Sequence, residues 1–273
     1  MHEILLLDNG SRRPQSTLAL RALADRLAQR LQQPVQPVSL AHADQIPPAQ
    51  LQGQGATTLE TWLLARYQAG VRHFLILPLF FGPSTALTQA IPALTARLSE
   101  RMGPMEVRLA HPLCPLPQGE PRLTRILIEG ITTTERLSGA KARRLVLVDH
   151  GSPSPEVNAS RRWLAADLRR RLGAASRVEE AAMERRAGAQ YDFNGAPLLD
   201  VLHRLAAEDS LSPLFVLPLF LFAGRHAGPG GDLDQIAHRV KAKFPALSLH
   251  FSGLVGDHPA LVDILASRYR EAS

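Results

Sequence analysis

An internal duplication constrains this chain more than any other feature. Ile4-Leu5-Leu6-Leu7-Asp8-Asn9-Gly10-Ser11 near the start is answered by Leu145-Val146-Leu147-Val148-Asp149-His150-Gly151-Ser152. Leu77-Pro78-Leu79-Phe80 returns as Leu217-Pro218-Leu219-Phe220. The offsets agree, 150 − 9 being 141 and 218 − 78 being 140. Solenoid repeats have periods of roughly 20–50 residues, so a spacing this long implies two copies of a whole domain. At 273 residues the chain is long enough for both copies to bury a core. The expected domains are 1–138 and 141–273, with the polar, glycine-containing stretch Thr133–Ala140 as linker.

Each copy alternates short apolar runs with longer helical patterns, the signature of a parallel α/β sheet. The second copy predicts strands at Leu145–Asp149, Val178–Met183, Leu214–Leu219 and Leu247–Phe251. Helices are expected near Glu156–Leu172, Ala196–Ala207, Asp232–Lys243 and Pro259–Tyr269. Leu164, Leu168 and Leu172 recur at i+4 as a stripe facing the sheet. The first copy predicts strands at Glu3–Leu7, Val35–Leu40, Phe74–Leu79 and Val107–Leu109 in the same order. The fold class read from this is α/β: two tandem flavodoxin-like domains, each with a four-stranded parallel sheet in the order 2-1-3-4. Such sheets bind ligands at the carboxyl ends of the strands, where the winding reverses.

Composition narrows the partners. Cys114 is the single cysteine and forms no internal disulfide, which fits a reducing compartment. The longest apolar runs, Phe74–Gly82 and Leu214–Gly224, are too short to span a bilayer. Met1-His2-Glu3 leads directly into a strand, so no signal peptide is expected. These readings give a cytoplasmic protein with no membrane partner. The net charge is +6, carried by scattered arginine clusters such as Arg161-Arg162, Arg169–Arg171 and Arg185-Arg186. Solvated helix faces account for most of these. With few aromatics and no single basic patch, a nucleic-acid partner is not expected. A small polycarboxylate fits better, because arginine holds carboxylates bidentately.

The differences between the copies mark the candidate chemistry. His150 directly follows the first strand of copy two, His226 lies in the glycine-flanked loop Gly224-Arg225-His226-Ala227-Gly228, and Glu184 follows the second strand. Copy one has Asn9, Ala86 and Ala41 at these positions. In the order 2-1-3-4 all three side chains fall on one rim. A lone histidine is more often a packing residue, but the loss of three together is easier to explain for a site. Two imidazoles and a carboxylate suit a divalent first-row metal and accept protons near neutral pH. Ser152 beside His150 lacks a nucleophile-elbow motif and reads as a turn or cap residue. Gly228-Pro229-Gly230-Gly231 lacks the lysine and hydroxyl of a phosphate loop.

At these residues the chain resembles the CbiX/SirB branch of the class II chelatases. One hallmark is His150-Gly151-Ser152-Pro153-Ser154-Pro155-Glu156-Val157-Asn158; the other is Pro218-Leu219-Phe220-Leu221 followed by Gly224-Arg225-His226. Gly256-Asp257-His258-Pro259 looks like the family's approach to its last helix. The resemblance implies insertion of Co2+ or Fe2+ into sirohydrochlorin, in cobalamin or siroheme biosynthesis, with Ni2+ equally suited to the ligands. It implies that His150 and His226 hold the incoming metal and that Glu184 assists metal delivery or proton removal. Arg225, the nearest arginine by sequence, is expected to pair with a peripheral carboxylate of the tetrapyrrole, with Ser152 as a second substrate contact. No organic cofactor is implied; the metal is substrate, and the expected assembly is a monomer or weak homodimer. The rival reading is a tetrapyrrole or metal carrier without turnover. Long family members often keep the histidine pair in the first half, whereas here the second half has it, and the loop after His226 is extended by Gly228–Gly231.

Overall fold

The computed structural model describes residues 2–273. The first sheet contains β1 (Glu3–Asp8), β2 (Val35–Ser39), β3 (His73–Pro78) and β4 (Glu106–Leu109), all parallel, in the order β2-β1-β3-β4. The second contains β5 (Arg144–Asp149), β6 (Arg177–Ala182), β7 (Leu214–Pro218) and β8 (Leu249–Phe251), in the order β6-β5-β7-β8. Both match the order expected from the sequence. The central strands are buried along nearly their whole length, as continuous apolar runs covered on both faces require.

The helices follow the duplication. α1 (Pro14–Leu31), α2 (Leu59–Gln68) and α3 (Ile91–Met102) serve the first sheet, and α5 (Pro155–Leu172), α6 (Leu198–Glu208) and α7 (Asp232–Lys243) the second. α1 and α5 each start on a proline, where the missing N–H has no intrahelical partner to lose. Leu164 and Leu168 are fully buried; Leu172, at the helix end, is only half-buried.

The last helix of each copy breaks the expected boundary. Thr133–Ala140 is no linker: α4 runs over Pro121–Ser138 and ends on Gly139 at φ 72°. α4 packs on α5 and across β7 and β8, burying Leu123, Ile126, Leu127 and Ile131. α8 (Ala260–Ala272) packs on α1 and β3, burying Leu261, Ile264 and Leu265. The buried Arg268 of α8 donates from Nε to Pro112 O at 3.0 Å and from Nη2 to Leu113 O at 3.1 Å. The compact units are therefore residues 1–115 with 259–273, and residues 116–258. Boundaries at 138 and 141 describe the repeat in the sequence but not these units, because each copy's final helix buries its apolar face on the other copy's sheet.

Candidate functional site

All the candidate residues lie in the unit 116–258, at the carboxyl end of its sheet. β5 delivers His150 and then turns sharply at Gly151, whose φ is +80°. A Cβ on Gly151 would stand 1.9 Å from the carbonyl oxygen of Glu184, so only glycine lets the two strand-end loops touch. The contact is sealed by Glu184 N–H donating to His150 O at 3.0 Å. Copy one repeats it: a Cβ on Gly10 would lie 1.7 Å from Ala41 O. The structural equivalence of Ala41 with Glu184 thus rests on geometry as well as spacing.

His226 reaches the same rim from the loop after β7. Its ring centroid lies 4.7 Å from that of His150, with the planes at 60°. Phe220, buried beneath them, has its centroid 4.4 Å from His150 and 5.8 Å from His226. The loop wraps tightly: a Cβ on Gly231 would come within 2.7 Å of the carbonyl oxygens of Arg225, His226 and Gly228. In copy one the corresponding segment coils into a π-helical turn, Ala86–Ala90, continuous with α3. Ala86 precedes the buried Ile91 by five residues and His226 precedes the buried Leu233 by seven, so copy two's loop is two residues longer.

Asp232, at the start of α7, is a site residue that the sequence reading passed over. Its Oδ2 lies 2.6 Å from Nδ1 of His226. With Nδ1–H donating there, Nε2 of His226 is left with a free lone pair for a metal. Ligand-capable atoms of Glu184, His226 and Asp232 all lie within 4.8 Å of one another. Arg225 spans the acids, with Nη2 3.3 Å from Glu184 Oε1 and Nε 3.4 Å from Asp232 Oδ2. Glu184 and Arg225 are exposed while His226 is buried. The outer edge of His150 is open, but its packing against Phe220 strips water from the ring. This loss of hydration, with repulsion from His226, lowers its pKa below the ordinary histidine value, so the imidazole is neutral at neutral pH.

Behind His150 lies a buried network. Arg161 on α5 donates to Asp149 Oδ1 at 2.5 Å, to Ala181 O at 2.9 Å and to Asn194 O at 2.7 Å. Asn194, also buried, brackets Ser152, accepting from its N–H and donating to its carbonyl, both at 2.8 Å. Ser152 Oγ accepts from Ser154 N–H at 3.0 Å, which fits a turn residue. Burial raises the Asp149 pKa and the Arg161 guanidinium opposes that rise. A signal for Arg161 stood in the sequence: it falls on the Leu164–Leu168 stripe, where copy one has Leu20. Copy one keeps the buried carboxylate, Asp8, but lacks the arginine. Asp8 Oδ1 has no hydrogen-bond partner, and burial pushes its pKa up to about 6. At the matching rim copy one has an open groove of about 450 Å³, lined by Leu40, Thr85, Ala86, Gln89, Ala90 and Ala93, none of them a metal ligand.

Among the described residues no helix is long and apolar enough to cross a membrane. Comparison with curated proteins finds no match. Among solved structures, the chain is similar to SirB from Bacillus subtilis with Fe3+, with a TM-score of 0.73 at 20% identity over 99% of this chain and 95% of that one. The sirohydrochlorin chelatase SirB from Bacillus subtilis subspecies spizizenii, in complex with cobalt, gives a TM-score of 0.68 at 20% identity over 99% and 95%. CbiX, described as the terminal enzyme for biosynthesis of siroheme in denitrifying bacteria, gives 0.64 at 20% identity over 100% of both chains. These likenesses speak to fold. The CbiX family model matches residues 3–133 and again 144–272, and the chain therefore belongs to the CbiX family.

Proposed function

We propose that this protein inserts a divalent first-row metal, Co2+ or Fe2+, into a tetrapyrrole of the sirohydrochlorin type. The observation that carries the reading is the pair of imidazoles 4.7 Å apart at the strand-end rim of unit 116–258. Solved CbiX and SirB structures of the same fold, two of them with iron or cobalt, support it.

Insertion exchanges two pyrrole N–H protons for one metal dication. His226, with Nδ1 held by Asp232, offers Nε2 to the metal, and the neutral ring of His150 offers the second nitrogen. Imidazole ligands exchange readily, so the metal can pass from them to the macrocycle. Glu184, exposed beside them, accepts a released proton or escorts the cation. Arg225 meets a peripheral carboxylate of the tetrapyrrole. Its ion pair with Glu184 is exposed on both sides, and such pairs are worth only about 0–1 kcal/mol, so a substrate carboxylate can replace it while Asp232, half-buried, stays on His226. Ser152 shapes the loop under the macrocycle. In this reading the metal is substrate and no organic cofactor takes part.

The test is to mix purified protein with sirohydrochlorin and Co2+ or Fe2+ and follow the absorption spectrum. Metallation beyond one equivalent per protein is the expected result. A bound but unmetallated spectrum identifies a carrier and overturns the proposal, as does the absence of any change beyond the rate without protein.

A further inference from the structure

We infer a second divalent-cation site in the unit formed by residues 1–115 and 259–273, built by His2, His73 and Glu106. The three come from the starts of three neighbouring strands. His2 precedes β1, His73 opens β3 and Glu106 opens β4. The register pairs His73 with Glu106 and, one residue further along, Glu3 with Phe74, so all three side chains meet at the amino end of the sheet. That is the opposite end of β1 from Asn9.

The spacing matches a small cation. His73 Nδ1 lies 2.9 Å from Glu106 Oε2, and His2 Nε2 lies 3.6 Å from Glu106 Oε1. Ligand-capable atoms of all three are within 4.8 Å of one another. Ligand atoms around a metal with bonds of about 2.1 Å stand about 3–3.4 Å apart, so small side-chain rotations suffice. Two imidazoles and one carboxylate are the donor set that first-row divalent ions prefer.

An ordinary surface ion-pair cluster is the competing account. Arg108 Nε does sit 2.7 Å from Glu106 Oε1, and His73 pairs with the other oxygen. That account satisfies His2 Nε2 only weakly, since this buried atom stands 3.6 Å from Glu106 Oε1, an ion-pair distance longer than a hydrogen bond. A cation between them gives it a partner, and exposed Arg108 can swing into water. The duplication supplies a control. By strand register Arg143, Pro213 and Ser248 of copy two stand where copy one has His2, His73 and Glu106, and none of these is a metal ligand of that kind. Each copy thus keeps a ligand set that the other lacks, at opposite ends of equivalent sheets.

The experiment uses full-length protein without a polyhistidine tag, carrying His150→Ala and His226→Ala to remove the other imidazole pair. Equilibrium dialysis against Zn2+ or Co2+ should find one equivalent bound. Adding His2→Ala, His73→Ala or Glu106→Gln should weaken that binding at least about tenfold, as loss of a metal-holding group does. Circular dichroism of each variant checks that the fold is retained, and Glu106→Gln, which keeps the side chain's shape, covers any variant that fails it. No bound metal in the double variant, or binding unchanged by His2→Ala and His73→Ala, overturns the inference. Because the paired imidazoles are absent throughout, the outcome is independent of the proposed chelatase activity.

Discussion

The difference between the two copies' strand ends extends one layer below the candidate ligands. In copy two Asp149 is buried against Arg161, whereas in copy one Asp8 is buried and Leu20 stands at the position of that arginine. The ionisation of Asp8 should therefore be written into stability. Its folded pKa, about 6, lies above the unfolded value, so its contribution is fully present below about pH 3.8 and is lost as pH rises through about 6. A shift of this size corresponds to on the order of 2–3 kcal/mol at pH 7.5. Asp8→Asn should stabilise the first unit by that order at pH 7.5 and by much less at pH 4.5. Urea unfolding followed by Trp62 fluorescence, in a Trp163→Phe background, measures it. An equal effect at both pH values contradicts the assignment.

Among elements, the exchange of α4 and α8 is the feature that sequence pattern could not reveal. Periodicity shows that a helix has an apolar face, but not which sheet that face will meet. The strand order, the alternation of strands and helices, and the placement of His150, Glu184 and His226 on one rim were legible, because each follows from local pattern and parallel topology. Thr133–Ala140 misled because its two threonines and Gly139 look like a loop, yet α4 runs on to Ser138 and ends only at Gly139. Asp232 and Arg161 were missed because a lone charge beside a glycine loop, or within an arginine-rich helix, resembles a solvated surface until its partner is seen. The exchange makes a testable statement about fragments. Burying Leu123, Ile126, Leu127 and Ile131 contributes about 1.5–3 kcal/mol each, together comparable to the whole stability of a domain. Residues 116–258 expressed alone should fold. Residues 141–273, lacking α4 and carrying α8 without its sheet, should aggregate. Size-exclusion chromatography and circular dichroism of both distinguish the cases, and a folded, monodisperse 141–273 fragment contradicts the assignment of α4.

For the whole molecule, duplication has let two copies of one fold diverge while the fold persists. Copy one shares the strand-end loop contact, Gly10 on Ala41, and the sheet order, but has none of the candidate metal-holding side chains at its rim and lacks the arginine that in copy two bonds Asp149. The central claim is that metal insertion belongs to copy two alone. The most direct measurement is the initial rate of Co2+ insertion into sirohydrochlorin by wild type, Asn9→Ala, His150→Ala and His226→Ala at matched protein concentration. Each histidine variant should lose at least about tenfold, the floor for removing an acid–base or ligating group, while Asn9→Ala keeps nearly the wild-type rate. Equal losses from Asn9→Ala and His150→Ala would contradict the account.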